Sequence, residues 1–490
     1  MAAKEKLRIC LTSAELAPLA KTGGLADVAA ALSAYLHRAG HEVVVLMPRY
    51  SRVDSLAQNI EPVAELQDLS MRIGPWNITY SIDTTTLANS TLSIYLLRCP
   101  ALYDRAGIYT DDDDEHLRFI LLTRAAIELC QQLRFAAHIF HSHDWHTALI
   151  PLYLRTVYAW DALFTDTKTV HTIHNIGYQG VFSAAILPDL DLGDGAHLLH
   201  QDDLAAGQVN FMKTGVLHAD LITTVSPTYA REIQGIEYGM GLDHLLRRRA
   251  DTVIGILNGV DYGEWNPQTD PLIPARYSLD DLTGKAECKR QLMDEFGLAG
   301  GQDQPVIGIV SRLVSQKGID LIERVAPRLL TQRNFSLAVL GSGASRYEHF
   351  FGELQLSFRD RVCYYRGYNN KLAHWIEAGA DLFLMPSLYE PCGLNQMYSL
   401  IYGTVPIVRD TGGLADSVQQ IDPDAATGTG ILFRDYSGAG LEWAINTALN
   451  LCENRVLWQK IIHNGMRKDF SWEHQGERYV ELFRRLSNLS

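Results

Sequence analysis

The stretch Lys21-Thr22-Gly23-Gly24-Leu25-Ala26-Asp27 sets the fold at the start of the chain. It follows the apolar run Leu7 to Thr12, which has strand character. It opens a segment, Leu25 to Ala39, whose apolar spacing predicts a helix. A strand, a glycine loop and a helix in that order begin an α/β unit. Two adjacent glycines let backbone approach a ligand closely, and amides at a helix N-terminus favour an anion. Lys21 adds positive charge to the same spot. The six residues Thr-Gly-Gly-Leu-Ala-Asp recur verbatim at Thr411 to Asp416, so a sugar or phosphate held between two such loops is the first expectation. The copies are not a tidy duplication, because the first follows the first strand of its half and the second follows a late one.

At 490 residues the chain is too long for one ordinary core, and two or three domains are expected. Its composition, 47% hydrophobic and 20% charged, is that of a soluble globular protein. A net charge of −14 argues against a general nucleic-acid or acidic-membrane binder, although local Lys and Arg can reverse the field inside a cleft. The seven cysteines are odd in number and lack paired metal spacing, which points to reduced thiols in a cytosol-like compartment. Met1 to Lys6 runs almost directly into a strand, so no signal or transit peptide is expected, and no apolar run reaches membrane-spanning length. The expected location is cytoplasmic.

Strand-like runs alternate with helical patterns along the chain, the signature of a largely parallel sheet. His41 to Met47 reads as the second strand. The stretch from about Glu61 to Pro100 is less regular and reads as a β-rich insertion. Asp111 to Asp114 precedes a helical segment and reads as an N-cap and solvated turn in preference to a metal site. Strands Ala137 to His141 and Lys168 to Ile173 end in Ser142-His143-Asp144-Trp145-His146 and His174-Asn175-Ile176-Gly177-Tyr178-Gln179-Gly180. Ligands of open α/β sheets sit beyond the C-terminal ends of strands, where both polar clusters fall. A first domain boundary is expected near Asp261 to Arg276, rich in Pro, Asp and Trp. The alternation then restarts with Val306 to Val310, Ser336 to Leu340, Asp381 to Met385 and Val405 to Val408. The expected division is 1–262, 263–470, and a closing amphipathic helix, 471–490, across the join.

Several residue sets have two readings. Arg312 and Lys317, on one loop after a strand, suit a diphosphate or are a surface pair. Glu390, between a strand and a helix, suits a developing positive charge at a sugar carbon or a helix N-terminus. His141, His143 and His146 with Asp144 invite zinc, but no Cys or Glu partner has supporting spacing. His174 beside Asn175 suits a substrate hydroxyl or a satisfied core. Trp145 and Tyr109 suit a sugar face or a core.

The combination is more specific than any member. Lys-Thr-Gly-Gly-Leu at 21–25, His-Asn-Ile-Gly-Tyr-Gln-Gly at 174–180, Ser-Arg-Leu…Gln-Lys-Gly at 311–318 and Glu-Pro-Cys-Gly-Leu at 390–394 occur in order, with Thr-Gly-Gly-Leu-Ala-Asp last. Over essentially the whole chain this resembles the bacterial glycogen synthase and plant starch synthase family. The resemblance implies a GT-B fold, with two facing Rossmann-like domains and a central cleft. It implies retaining transfer of glucose from ADP-glucose to the non-reducing-end 4-hydroxyl of an α-1,4-glucan, with no metal and no cofactor. It assigns Glu390, His174, Arg312 and Lys317 to catalysis. Lys21, Gly23, Gly24, Tyr368, Gly393, Leu394 and Asn395 go to the donor, and Tyr109, Asp144, Asn175 and Asn258 to glucose and acceptor. Asn395 departs from the family's usual Thr after Glu-Pro-Cys-Gly-Leu, so altered donor affinity is expected. Lys21 makes the first hexapeptide the donor loop; the second, introduced by Asp410, is expected to be structural support.

A transferase making a sucrose- or trehalose-type product, and a weakly catalytic glucan-binding or priming partner, are the competing readings. Chain elongation separates the first from the family reading. Intact Lys21, Arg312, Lys317 and Glu390 weigh against the second.

Overall fold

Apolar runs without alternation make strands buried on both faces, and this chain builds two largely parallel sheets from them. The computed structural model describes residues 5–87 and 90–489. Residues 1–4, 88–89 and 490, which include parts of the expected N-terminal run and insertion, lie outside the described residues. By contacts the chain divides into two units. One is Met1–Val225, Ala230–Gly259 and Trp472–Ser490; the other is Ser226–Tyr229 and Val260–Ser471.

The first unit holds β1 (Arg8–Thr12), β2 (Glu42–Pro48), β3 (Gln58–Pro62), β4 (Leu69–Ile73), β5 (Trp76–Thr86), β6 (Ser93–Arg98), β7 (Ile139–His143), β8 (Lys168–Ile173), β9 (Val181–Ser183), β10 (Gln208–Asn210), β11 (Leu221–Thr224) and β12 (Val253–Gly255). Its main sheet runs β12-β11-β8-β7-β1-β2-β6-β5-β3, and β9 and β10 form a separate antiparallel pair. From β12 to β6 every pairing is parallel. The insertion expected from Glu61 to Pro100 is therefore shorter than its sequence suggests. Strands β3, β4 and β5 are antiparallel additions, but β6 pairs with β2 in the parallel core. Ile94, Leu96 and Leu97 are buried there, and burial of each such aliphatic stabilises by about 1.5–3 kcal/mol.

The second unit holds β13 (Val306–Val310), β14 (Ser336–Gly341), β15 (Val362–Arg366), β16 (Leu382–Met385), β17 (Val405–Arg409) and β18 (Ile431–Phe433), ordered β15-β14-β13-β16-β17-β18 and parallel throughout. Written by appearance this is 3-2-1-4-5-6, the Rossmann order, whose ligand crevice lies where the winding reverses. That point is between β13 and β16. The first unit repeats the pattern with one more strand, and its reversal lies between β1 and β7. In the helix Ile319–Gln332, Ile319, Ile322, Val325, Ala326, Leu329 and Leu330 recur at helical spacing and are buried in the core with Ile307, Ile309, Leu337 and Leu382.

The closing helix, Trp472–Ser487, falls within the first unit, after the chain has completed the second. It buries Tyr479, Val480 and Phe483. Its Glu477 Oε2 accepts from Tyr35 Oη at 3.1 Å on the helix Gly24–Arg38. A Cβ on Gly476 would meet the Tyr35 ring at 2.3 Å, so the two helices touch closely there.

Candidate active site

Each unit brings chemistry to its own reversal point. In the first, the chain leaving β1 reaches Glu15, which is only 2% exposed. Its carboxylate accepts from Thr22 N at 2.5 Å, Thr22 Oγ1 at 2.6 Å, Gly23 N at 3.4 Å and Tyr109 Oη at 2.5 Å. These bonds shape the Lys21–Gly24 loop. Gly23 is extended, and a Cβ on Gly23 or Gly24 would meet no atom within 4 Å. Neither glycine is demanded by its own backbone or packing, so their smallness suits something that approaches from outside the chain. Lys21 Nζ pairs with Asp27 Oδ1 at 2.7 Å.

Beyond β7 stands Asp144, at φ 52° and ψ −173°. A non-glycine residue in that region costs about 1–3 kcal/mol and marks functional sites more often than others. Its Oδ1 accepts the backbone amides of His174 at 2.7 Å and Asn175 at 3.4 Å. Burial raises the Asp144 carboxyl to about 7, against the lowering effect of those amides. His174 Nε2 lies 2.9 Å from His143 Nδ1. Burial takes His174, His141 and His171 each down to about 3, so the imidazoles are neutral and His174 meets any ligand uncharged. Burial also holds His143 and His146 well below their ordinary value.

Each histidine of the set that invited zinc has a contact within the fold and keeps one buried ring nitrogen unpartnered. His141 Nε2 is 2.6 Å from Thr172 Oγ1, and His146 stacks on Tyr109 at 4.6 Å between ring centres. Among the described residues no group of three or more His, Cys, Asp or Glu is arranged around a metal ion. Asn258 is buried with Oδ1 unpartnered, but it follows β12 at the sheet edge, three strands from β7.

In the second unit, the loops after β13 and β16 are knitted together. Leu388 N donates to Gln316 O at 2.8 Å. Gly318 sits at φ 73°, where a Cβ would meet Pro386 O at 2.0 Å. This contact sets Lys317 Nζ 2.6 Å from Glu390 Oε2, which also accepts from Ser387 Oγ at 3.0 Å. Glu390 is 4% exposed, so its charge is compensated inside the fold. Arg312, on the same loop as Lys317, is exposed. Gly393, at φ 69°, and Leu394 lead into the helix Asn395–Ile401.

The Asn395 amide also has a partner inside the unit. Its Nδ2 donates to Val310 O at 2.7 Å and ties that helix to the end of β13. Tyr368 lies after the edge strand β15, 70% exposed, its hydroxyl donating to Asn370 Oδ1 at 2.7 Å. The structure thus groups Arg312, Lys317, Glu390, Gly393, Leu394 and Asn395 in one unit, with Tyr368 two strands away. It groups Lys21, Gly23, Gly24 and Tyr109 around Glu15 in the other, and Asp144, His174 and Asn175 around one carboxylate. Glu15 escaped the sequence reading; the available signal was an acid between the buried Ala14 and Leu16, directly after a strand.

Together the two Rossmann-type units have the GT-B architecture of glycosyltransferases that use activated sugars. Residues 8–248 match the starch synthase catalytic domain and residues 294–464 match the glycosyl transferases of group 1. The chain is 44% identical over 487 residues to a glycogen synthase of Koribacter versatilis, covering 99% of each. It is 41% identical over 495 residues to glycogen synthase 1 of Geobacter metallireducens, covering 98% of this chain and 96% of that one. The catalytic domain of starch synthase IV from Arabidopsis thaliana, solved bound to ADP and acarbose, superposes with a TM-score of 0.91 at 34% identity, over 99% of this chain and 100% of that one. A sucrose-phosphate synthase from Thermosynechococcus elongatus, at 17% identity and a TM-score of 0.59, shares the fold alone. The chain belongs to the glycogen synthase and starch synthase family, enzymes of glucosyl transfer in glycogen and starch synthesis. No helix among the described residues is long and apolar enough to cross a membrane.

Proposed function

We propose that this enzyme takes ADP-glucose as donor and extends the non-reducing 4-hydroxyl of an α-1,4-glucan with retention of configuration. The observation that carries the reading is the Lys317–Glu390 pair at 2.6 Å, on the two loops at the second unit's reversal point. Lys317 has three N–H donors, of which one meets Glu390, so it can hold a phosphate oxygen and the carboxylate together. Arg312 adds a planar fork suited to a diphosphate. Two cations there stabilise the charge that grows on the departing ADP. Glu390 then stands by the sugar carbon and offsets its oxocarbenium character. The C1–O bond to the phosphate breaks and a C1–O4 bond forms on the same face. The leaving phosphate takes the acceptor proton, so no protein nucleophile is needed.

In this reading Lys21, Gly23 and Gly24 meet the donor's phosphates, as do the amides of Gly393 and Leu394, and Tyr368 packs on adenine. Asp144, His174, Asn175, Asn258 and Tyr109 serve the transferred glucose and the acceptor. The enzyme works in the cytoplasm, which suits seven cysteines that form no disulfide.

Steady-state turnover with ADP-glucose and UDP-glucose on one labelled malto-oligosaccharide tests the reading. Chain elongation with a higher kcat/KM for ADP-glucose is expected. Failure to elongate with either donor, or preference for UDP-glucose, refutes it.

A further inference from the structure

Glu15 is a carboxylate removed from water, held where the chain turns out of β1. Its backbone is pinned by Ser13 Oγ, which accepts from Glu15 N at 3.2 Å and donates to Glu15 O at 2.7 Å. The preceding carbonyl, Ala14 O, accepts from Tyr50 Oη at 3.0 Å. This is a fixed group and not a mobile surface acid.

Its two oxygens face different partners. Oε2 takes the backbone amides of Thr22 and Gly23, while Oε1 takes the hydroxyls of Thr22 and Tyr109. The amide side is the glycine loop, where added Cβ atoms would meet nothing. The phenol side leads to the ring stacked on His146, two residues beyond Asp144. Burying a carboxylate is costly unless every lone pair is used, and here the donors that use them come from two separate segments.

We propose that Glu15 is a positioning residue that couples donor binding to acceptor binding by holding the Thr22–Gly23 loop and Tyr109 at once. The proposal rests on the donor and acceptor assignments above. Its consequence is a linked loss: removing the carboxylate loosens both substrates, whereas removing either partner loosens one.

The test measures KM for ADP-glucose and for a malto-oligosaccharide separately, together with thermal unfolding, in the full chain. Glu15→Ala is expected to raise both KM values about tenfold each. Thr22→Val raises only the donor KM, and Tyr109→Phe only the acceptor KM. Tyr109→Phe added to Glu15→Ala gives no further rise, because the contact it removes is already gone. Glu15→Gln recovers the donor KM but not the acceptor KM. Its carbonyl can face the two fixed amides only by turning its NH2 toward the phenol, which then accepts instead of donating and loses the stronger bond to a carboxylate. A residue that merely stabilised the fold would lower the unfolding midpoint and leave the donor and acceptor KM values alone. Unchanged KM values in Glu15→Ala, or a full additional effect of Tyr109→Phe on top of it, overturn the proposal. Should Glu15→Ala not fold, an unchanged acceptor KM in Glu15→Gln overturns it instead. A wild-type enzyme that does not elongate glucan from ADP-glucose sinks the functional reading and the coupling with it, whereas a wild type that elongates while the Glu15 variants keep its KM values sinks the coupling alone.

Discussion

The same six residues, Thr-Gly-Gly-Leu-Ala-Asp, do opposite work at 22–27 and 411–416. In the first copy the glycines face open space, and their backbone is held from behind by Glu15. In the second they are pressed against the chain. Gly412 lies at φ 45°, a Cβ there would meet Glu390 O at 1.9 Å, and one on Gly413 would meet Cys392 O at 2.2 Å. Gly413 N also donates to Glu390 O at 3.1 Å. The aspartates differ too: Asp27 pairs with Lys21, while Asp416 accepts both the amide and the hydroxyl of Thr228 at 2.7 Å. A glycine pair after a strand is a permission for close approach. What comes close, a ligand or another loop, depends on the neighbours.

The largest effect that can break this contrast is expected at Gly412. Gly412→Ala should destabilise the second unit by about 3 kcal/mol and displace the Glu390 loop with near-complete loss of turnover. Gly23→Ala should move stability by no more than about 0.5 kcal/mol while raising the donor KM about tenfold. Thermal unfolding with initial rates separates them, and equal unfolding shifts would erase the distinction. Next come the cations. Arg312→Ala combined with Lys317→Ala should lower kcat by about 10²–10³-fold, the scale of a lost charge stabiliser. Lys21→Ala should chiefly raise the donor KM, by about tenfold. A larger kcat loss from Lys21 would move the leaving-group charge to the first copy.

Acid should separate the two units more gently. His141, His171 and His174 are held at about 3 against 6.5 for an ordinary imidazole. The unfolded chain therefore binds protons first, and stability of the first unit falls as pH drops from 6.5 toward 3. Asp144, raised to about 7 from 3.8, has the opposite sign: the folded form holds the proton, and its contribution grows as pH falls from 7 toward 4. Unfolding midpoints between pH 7.5 and 5 should fall in the wild type and fall more steeply in Asp144→Asn, which removes the opposing group. A flat profile would count against buried neutral histidines. The smallest difference is between the aspartates. Asp416→Ala removes two bonds at the start of the helix Pro227–Glu232 and should cost about 1–2 kcal/mol. Asp27→Ala breaks a half-exposed pair and should cost less than about 0.5 kcal/mol.

Strands β8 and β13 begin and end where their apolar runs do, because both are covered on both faces and each run is cut by polar loop residues. Strand β6 was harder to place. The alternation of Thr91 to Tyr95 shows a strand but not that its partner is β2. Asp111 to Asp114 read as an N-cap and solvated turn, and Asp114 does stand at the N-cap of the helix Glu115–Gln132, but its side chain makes no cap bond and instead pairs with Arg105 at 2.6 Å. A charged partner nine residues away outcompetes a backbone amide. Within the site, Lys317 and Glu390 were each visible as candidates, and their 2.6 Å contact required two loops to meet. Asn395 could not be assigned to Val310 from sequence, since that bond joins residues 85 positions apart.

By itself the sequence determined the α/β class, the restart of the alternation in the second half, and the loops after strands where chemistry gathers. These follow from local periodicity, turn residues and charge, which act over a few positions. Tertiary structure alone decided which copy of the hexapeptide stays open and which is buried. It placed Glu15 at the centre of the first loop and bound Asn395 to the end of β13. Each depends on contacts between segments far apart in the chain, whose direction the order of residue types does not encode.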